Sequence, residues 1–161
     1  MTVYQYDLLL NENNIPQLKV VNEFIRPKAK YFSTPENVVS FMNATLDLNK
    51  KAEEYLYMIG FNNALVPVGV FEIAHGTVNQ AAFSIREIMI RALACGACRI
   101  LLIHNHPGIN TEFSKEDNTF NSQMKNACQL LNVEFLDSIV VSGNKYRSSI
   151  DEREIECNDW I

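Results

Sequence analysis

The chain has 161 residues, of which 47% are hydrophobic and 20% charged, a composition typical of one folded domain with a hydrophobic core. Its formal net charge of -5 argues against a nucleic-acid-binding protein, because contacts with phosphates usually require a basic surface. The sequence shows neither a signal-peptide pattern nor an apolar run of membrane-spanning length, so we expect a cytoplasmic protein with no membrane partner.

The first predicted unit is an extended N-terminal arm over residues 1–33. Short strands at 6–10 and 18–21 are separated by an Asn-rich turn. An arm of this kind offers a surface for homo-oligomer formation. A helix follows, with Thr34 as its N-cap and Pro35 at its first position. Its apolar positions recur at helical spacing out to about Asn49.

A β-hairpin comes next. Its first strand is predicted over Glu54–Phe61, and its second over residues 64–74. Pro67 and Gly69 interrupt the second strand, which predicts a bulge or an edge position in the sheet.

A second helix begins at Ser84, where Ser84 and Glu87 form a capping-box pattern, and it ends near Gly96. The apolar run over residues 99–103 is typical of a fully buried central strand. The remaining elements are a loop, a third helix, two strands and an acidic, partly disordered tail, at residues 107–113, 114–131, 133–141, 145–150 and 151–161. Together these elements predict an α/β protein with a mixed sheet.

Two histidines stand at the end of the predicted central strand. His104 and His106 are two residues apart, so their side chains share one face of an extended chain and can reach one ion. Asp117 lies in the first turn of the next predicted helix, which the intervening loop can bring back beside them. Two imidazoles and one carboxylate suit zinc and leave a fourth position for water. The sequence therefore predicts an open zinc site.

Each piece also has a purely structural interpretation. A single histidine on an apolar strand is usually a satisfied core residue. Ser114 and Asp117 resemble a capping box with Asp in place of Glu, which needs no metal. The combination favours the metal site, because two histidines at the end of a buried strand have no evident packing purpose.

The segment His104-Asn105-His106-Pro107, followed after six residues by Ser114-Lys-Glu-Asp117, resembles the JAMM signature His-x-His-Pro…Ser-x-x-Asp. The RadC family in particular is similar over Gly76-Thr77, Ile85-Arg86-Glu87-Ile88 and the His-Asn-His-Pro form itself. The resemblance covers residues 34–150. It implies a JAB/MPN-like domain there: a largely antiparallel mixed sheet flanked by helices, with a cytidine-deaminase-like architecture and one Zn²⁺.

The resemblance further implies hydrolysis of an amide bond in a peptide or protein substrate. Such enzymes use an upstream glutamate as general base. Glu54 is the first candidate because it opens a strand where RadC relatives carry a glutamate; its alternative role is an exposed carboxylate beside Glu53. Glu87 is the rival, although its capping box already gives it a structural role. Ser114 matches the family serine at the oxyanion, a role that a helix cap does not exclude.

The chain departs from the RadC pattern in two places. His-Pro-Gly-Ile-Asn replaces the usual His-Pro-Ser-Gly-Asp, and Asp137-Ser138 replaces Asp-His near the C-terminus. These changes leave the predicted metal ligands intact. They mean that the family resemblance does not identify the substrate and does not by itself assign a DNA-related role. Two alternatives therefore stay open: a module associated with DNA repair or mobile elements, and a JAB scaffold that binds partners without turnover.

Other candidate ligands have simpler interpretations. Cys95-Gly-Ala-Cys98 is a Cys-x-x-Cys pair at a helix C-terminus without a second pair, so we expect two buried thiols and no metal or redox site. His75, beside Gly76 at the end of a strand, is expected to be a loop or surface residue.

Overall fold

The computed structural model describes residues 1–25, 32–76 and 84–157. Residues 26–31 of the predicted arm, Thr77 of the RadC-like segment and residues 158–161 of the predicted tail lie outside this description. The strands are β1 Thr2–Leu10, β2 Pro16–Ile25, β3 Glu54–Phe61, β4 Pro67–Gly76, β5 Arg99–Asn105, β6 Glu134–Ser142, β7 Lys145–Ser148 and β8 Glu154–Glu156. The helices are α1 Pro35–Leu46, α2 Ile85–Ala94 and α3 Lys115–Leu130, with a short 3₁₀ helix at Leu48–Lys50.

The strands form one sheet in the order β2-β1-β4-β3-β5-β6-β7-β8. Two neighbouring pairs, β1 with β4 and β5 with β6, are parallel, and the other five are antiparallel. The predicted class, an α/β fold with a largely antiparallel mixed sheet of the JAB type, is confirmed.

Helices cover both faces of the sheet. On one face, α1 contributes buried residues to a core that also contains Tyr57, Leu101 and Ile139. On the other face, α2 and α3 pack over a core built around Leu56 and Leu102. Strands covered on both faces are continuously apolar, which explains why β5 is recognisable in the sequence.

The helix starts follow their capping residues. The Thr34 hydroxyl accepts a hydrogen bond from the Asn37 amide at the start of α1. This helix is shorter than predicted, because Asp47 adopts a left-handed conformation with φ of 49°. The chain then continues as the 3₁₀ helix, which contains Asn49.

The predicted N-terminal arm is an integral part of the sheet. Its two strands are longer than expected and pair with each other along their whole length. Gln5 of β1 then pairs with Val70 of β4, and Val3 is buried in the core. The hairpin therefore packs with the rest of the domain, while the outer edge of β2 is an edge of the sheet.

The described part of the predicted acidic tail has regular structure. Residues 154–156 form β8, which pairs with β7, and Cys157 is buried against the core. The strand predicted over 145–150 ends at Ser148, where the chain turns before β8.

The second strand of the predicted hairpin is irregular but does not lie at an edge. β4 lies between β1 and β3, and its register against β3 shifts at two points, as a bulged strand does. A side chain at position 69 would displace its neighbours, because an added Cβ would lie 2.8 Å from the Phe71 ring and 3.1 Å from the Tyr6 ring. These two rings stack on each other at 5.8 Å.

In the described residues, no helix has both the length and the apolar character needed to cross a membrane.

Candidate metal centre

Three elements bring the predicted site residues together. His104 lies near the end of β5, the strand between β3 and β6, and His106 follows directly after this strand. Glu54 is the first residue of β3, which pairs with β5 so that Leu56 lies opposite His104. Asp117 lies in the first turn of α3. The loop between β5 and α3 therefore returns the helix start to the end of the strand.

The imidazoles and both carboxylates converge on one point. The Nε2 atoms of His104 and His106 are 3.2 Å apart. A Glu54 oxygen lies 3.9 Å from the first and 3.8 Å from the second. Asp117 approaches the same two nitrogens with Oδ1 at 3.6 Å and Oδ2 at 3.8 Å.

These separations fit a small tetrahedral ion. Nitrogen and oxygen ligands at roughly 2.0–2.1 Å from zinc lie about 3.3–3.4 Å from each other in a tetrahedron. The described residues contain a group of three ligand atoms, from Glu54, His104 and His106, that all lie within 4.8 Å of one another. Asp117 is outside that group but is closer to His104 than Glu54 is, so both carboxylates are within ligand range of the histidine pair.

The charges at the site also favour a cation. Glu54 and Asp117 are only 6% and 8% exposed. Among the described residues, their ion-pair partners within 4.0 Å are the two histidines, with no lysine or arginine. Two buried carboxylates without a fixed positive partner are costly, and a divalent cation would neutralise both.

Burial adjusts the protonation of these groups. It raises the pKa of Glu54 above its usual value, and the nearby charge of Asp117 acts in the same direction. Burial lowers the pKa of His104 to about 4, so its imidazole is neutral and keeps a lone pair for a metal. Burial alone would raise the pKa of Asp117, but its contacts with His106, His104 and Ser114 outweigh that effect and lower it.

Neighbouring groups orient the ligands. The Nδ1 atom of His106 lies 3.0 Å from the carbonyl oxygen of Asn110. A carbonyl can only accept, so Nδ1 carries the proton and Nε2 of the neutral ring keeps the lone pair that faces the cluster. Phe113 packs edge-on against His104 with ring centroids 6.3 Å apart.

Ser114 fixes the carboxylate of Asp117. Its backbone amide and its hydroxyl both donate to Oδ2, at 2.8 and 2.7 Å, and its oxygen accepts from the Asp117 amide. The capping box expected from the sequence is therefore complete, and it leaves Oδ1 as the oxygen directed at His104. Ser114 and Asp117 belong both to the helix cap and to the candidate site. The structural and the metal-site interpretations made from the sequence are therefore compatible.

Asn105 is a site residue whose role the sequence did not reveal. Its side chain binds backbone atoms of Glu53 and Tyr55, the two neighbours of Glu54. The signal was present in the alternation of a strand, which directs Asn105 away from the face of the histidines. The partner was not predictable, because it lies some fifty residues earlier in the chain.

Glu87, the rival candidate for the general base, and its neighbour Arg86 lie apart from this cluster. The Glu87 carboxylate binds Arg91 at 3.0 Å and Arg86 at 2.8 Å. Arg86 is a surface side chain, 78% exposed. Neither residue contacts the histidines among the described interactions.

The other candidate ligands, the Cys95–Cys98 pair and His75, lie outside this cluster. The prediction of two buried thiols is wrong for Cys98, which is exposed, while Cys95 is half-buried. Neither thiol belongs to the group of potential metal ligands in the described residues, which is formed by Glu54, His104 and His106. His75 is an exposed residue of β4, as expected, and pairs with Glu72 at 2.8 Å.

Comparison with known proteins finds relatives that match most of the chain. A UPF0758 protein of Haemophilus ducreyi is 31% identical over 121 residues, which are 75% of this chain and 53% of the relative. A UPF0758 protein of Actinobacillus pleuropneumoniae serotype 5b is 29% identical over 149 residues, covering 89% of this chain and 68% of the relative. The chain thus spans about half to two thirds of the length of these relatives. The family model described as RadC-like JAB domain matches residues 32–155, so the chain belongs to that family.

Proposed function

We propose that this protein is a zinc-dependent hydrolase of amide bonds in peptide or protein substrates. The observation that carries the proposal is the pair of histidine Nε2 atoms, 3.2 Å apart, flanked by the carboxylates of Glu54 and Asp117. The family supports the same conclusion, because the signature resembles that of JAMM hydrolases.

His104, His106 and Asp117 would hold the ion. Imidazole nitrogen and carboxylate oxygen are common zinc ligands, and three protein ligands with one open position are typical of catalytic zinc. We assign Asp117 as the third ligand because Ser114 holds its carboxylate in one orientation and leaves Oδ1 facing His104. When bound, zinc would supply a Lewis acid that activates water and polarises the substrate carbonyl.

Glu54 would act as the general base. Its carboxylate is buried beside the histidines, at 3.8–3.9 Å from their Nε2 atoms. Its raised pKa makes it a better proton acceptor than an exposed glutamate. It would take a proton from the attacking water and return it to the leaving nitrogen.

The geometry favours an orienting role for Ser114. Its single hydroxyl proton is donated to Asp117 at 2.7 Å. Contact with a developing oxyanion, the role implied by the family resemblance, requires that proton to leave Asp117. Until then the hydroxyl holds the ligand carboxylate in place.

The direct test is cleavage of a peptide library by the zinc-loaded protein, with fragments identified by mass spectrometry. We expect cleavage that stops when a chelator removes the metal and returns when zinc is added. The control is Glu54→Gln with zinc bound, which should leave the library intact. A zinc-loaded wild-type protein that cleaves nothing would support the scaffold alternative and contradict the proposal.

A further inference from the structure

Asn105 lies between the two histidines and is only 2% exposed. Successive side chains of a strand alternate in direction, so it does not join His104 and His106 in the cluster. Its carboxamide instead contacts the segment that leads into β3. Oδ1 accepts a hydrogen bond from the Tyr55 amide at 2.8 Å. Nδ2 donates to the Glu53 carbonyl at 2.9 Å and to the Lys51 carbonyl at 3.4 Å.

These bonds take the place of strand pairing that β3 lacks beside Glu54. The pairing of β3 with β5 ends at Leu56 and His104. Beyond this point β5 keeps its pairing with β6, and the His106 amide continues it by donating to the Val141 carbonyl at 2.8 Å. On this side of β3 the backbone groups next to Glu54 therefore have no partner strand, and the Asn105 side chain takes its place. The other side of β3 stays paired with β4.

We propose that Asn105 is a positioning residue that sets the distance between the Glu54 carboxylate and the two histidines. The inference deepens the proposed function and rests on it for its catalytic meaning. Because Glu53 and Tyr55 are both tied to the residue between His104 and His106, the base and the ligands share one rigid connection.

The chemistry of the side chain is specific for this task. An asparagine offers an acceptor and two donors in one plane. Asn105→Ala removes all three contacts. Asn105→Asp keeps the acceptor for the Tyr55 amide but places a second oxygen against the carbonyls of Glu53 and Lys51.

Asn43 provides a matched control. It is 5% exposed, and its Oδ1 accepts from the Asn49 amide at 3.1 Å. It lies in α1, on the sheet face opposite α2 and α3. Asn43→Ala therefore removes a buried side chain of the same type but none of the hydrogen bonds that Asn105 makes to Lys51, Glu53 and Tyr55.

The test uses the full chain labelled for NMR, with Co²⁺ as the probe metal. In the metal-free protein, hydrogen exchange of the Tyr55 amide should accelerate about fivefold or more in Asn105→Ala, since its hydrogen bond is lost. The same amide should keep its protection in Asn105→Asp and in Asn43→Ala. In the cobalt-loaded protein, the paramagnetic shifts of the Glu54 side chain, which depend on its distance from the ion, should change in both Asn105 variants and stay at wild-type values in Asn43→Ala.

Two results would overturn the inference. One is unchanged exchange of the Tyr55 amide in Asn105→Ala. The other is wild-type paramagnetic shifts of Glu54 in a cobalt-loaded Asn105 variant, which would give the bonds a purely structural role. Failure of the wild-type protein to bind cobalt would instead contradict the proposed function, and the exchange rates in the metal-free protein would still decide whether Asn105 holds this segment.

Discussion

Glu54 and Glu87 both lie at the start of a regular element, but their carboxylates have different neighbours. Glu54 is buried, and the titratable groups beside it are the site histidines and Asp117. Glu87 is partly exposed and neutralised by two arginines. A proton-transfer group needs access to the reacting atoms, and only Glu54 faces the cluster.

The substitution Glu54→Gln separates a base from a ligand. We expect it to keep zinc and to reduce the rate of peptide cleavage about 100-fold or more, because a proton acceptor is lost. The melting temperature of the metal-free variant should stay the same or rise slightly, since repulsion with Asp117 is relieved. Zinc content, thermal melting and initial rates measure these effects.

Glu87→Gln is the matched control, with wild-type zinc content and rate expected. If Glu54→Gln cleaves normally while Glu87→Gln is inactive with zinc bound, the base has been assigned to the wrong element. Loss of zinc from Glu54→Gln would make Glu54 a ligand.

Ser114→Ala tests the support of the third ligand. The variant loses the hydroxyl bond to Asp117 and the acceptor for its amide. We expect zinc affinity to fall about 10- to 100-fold, as is usual for partners of metal ligands, and Ser114→Thr to keep most of it. Competition with a chromogenic chelator measures both. Unchanged affinity with a reduced rate would instead place the hydroxyl at the oxyanion.

At this scale, the sequence indicated the side chains of the site and the cap that holds Asp117, but not the groups that hold His106 and the segment around Glu54. The spacing of His104 and His106 predicted their convergence, because it needs only the alternation of one strand. The carbonyl of Asn110 and the backbone partners of Asn105 depend on loop conformation and on distant pairing, and no local pattern encodes these. Glu54 stands beside Glu53 in the sequence, but the carboxylate that, in addition to burial, raises its pKa is that of Asp117, which only the fold brings close.

Among the elements, α2 is capped differently from α3. The Ser84 hydroxyl accepts from the Glu87 amide at 3.4 Å, but the reciprocal bond to the Ser84 amide is absent from the described interactions. The Glu87 carboxylate binds arginines instead. The full capping box predicted from the sequence is therefore only half formed.

This difference changes the expected cost of substitutions at the helix start. Ser84→Ala should lower the free energy of unfolding by about 1 kcal/mol through the lost cap. Glu87→Ala should cost less than about 1 kcal/mol, since exposed ion pairs contribute little. Urea unfolding measures both. A larger loss for Glu87→Ala than for Ser84→Ala would restore the capping role of Glu87.

Elements covered on both faces were predictable, and those at the margins were not. The apolar run of β5 and the capped starts of the helices are local signals. β2 has a mostly exposed, mixed sequence without alternation, so its length depends on pairing with β1. β8 is a three-residue strand in an acidic segment, and only its pairing with β7 distinguishes it from a disordered tail.

For the whole molecule, the acidic charge bears on the DNA-associated alternative. With a net charge of -5, we expect only weak, non-specific binding to duplex DNA, with a dissociation constant no tighter than roughly 10⁻⁶ M at physiological salt. Fluorescence anisotropy across a salt series measures it. A tight complex that persists at about 200 mM salt would favour the DNA-associated function.

The proposal of a homo-oligomer through the N-terminal segment is independent of the metal centre. β2 is an outer strand of the sheet and carries exposed apolar residues, including Val20 and Val21. Sedimentation of the wild-type protein tests it: an oligomer would support the proposal, and a monomer at all concentrations would contradict it.

The proposed function depends on a zinc ion held by His104 and His106. The most direct measurement is the zinc content of the purified protein by elemental analysis. We predict about one zinc per chain, loss of the metal in His104→Ala and in His106→Ala, and wild-type content in a variant with both Cys95 and Cys98 replaced by alanine. Full zinc in both histidine variants, or its loss from the cysteine variant, would contradict this assignment of the zinc ligands.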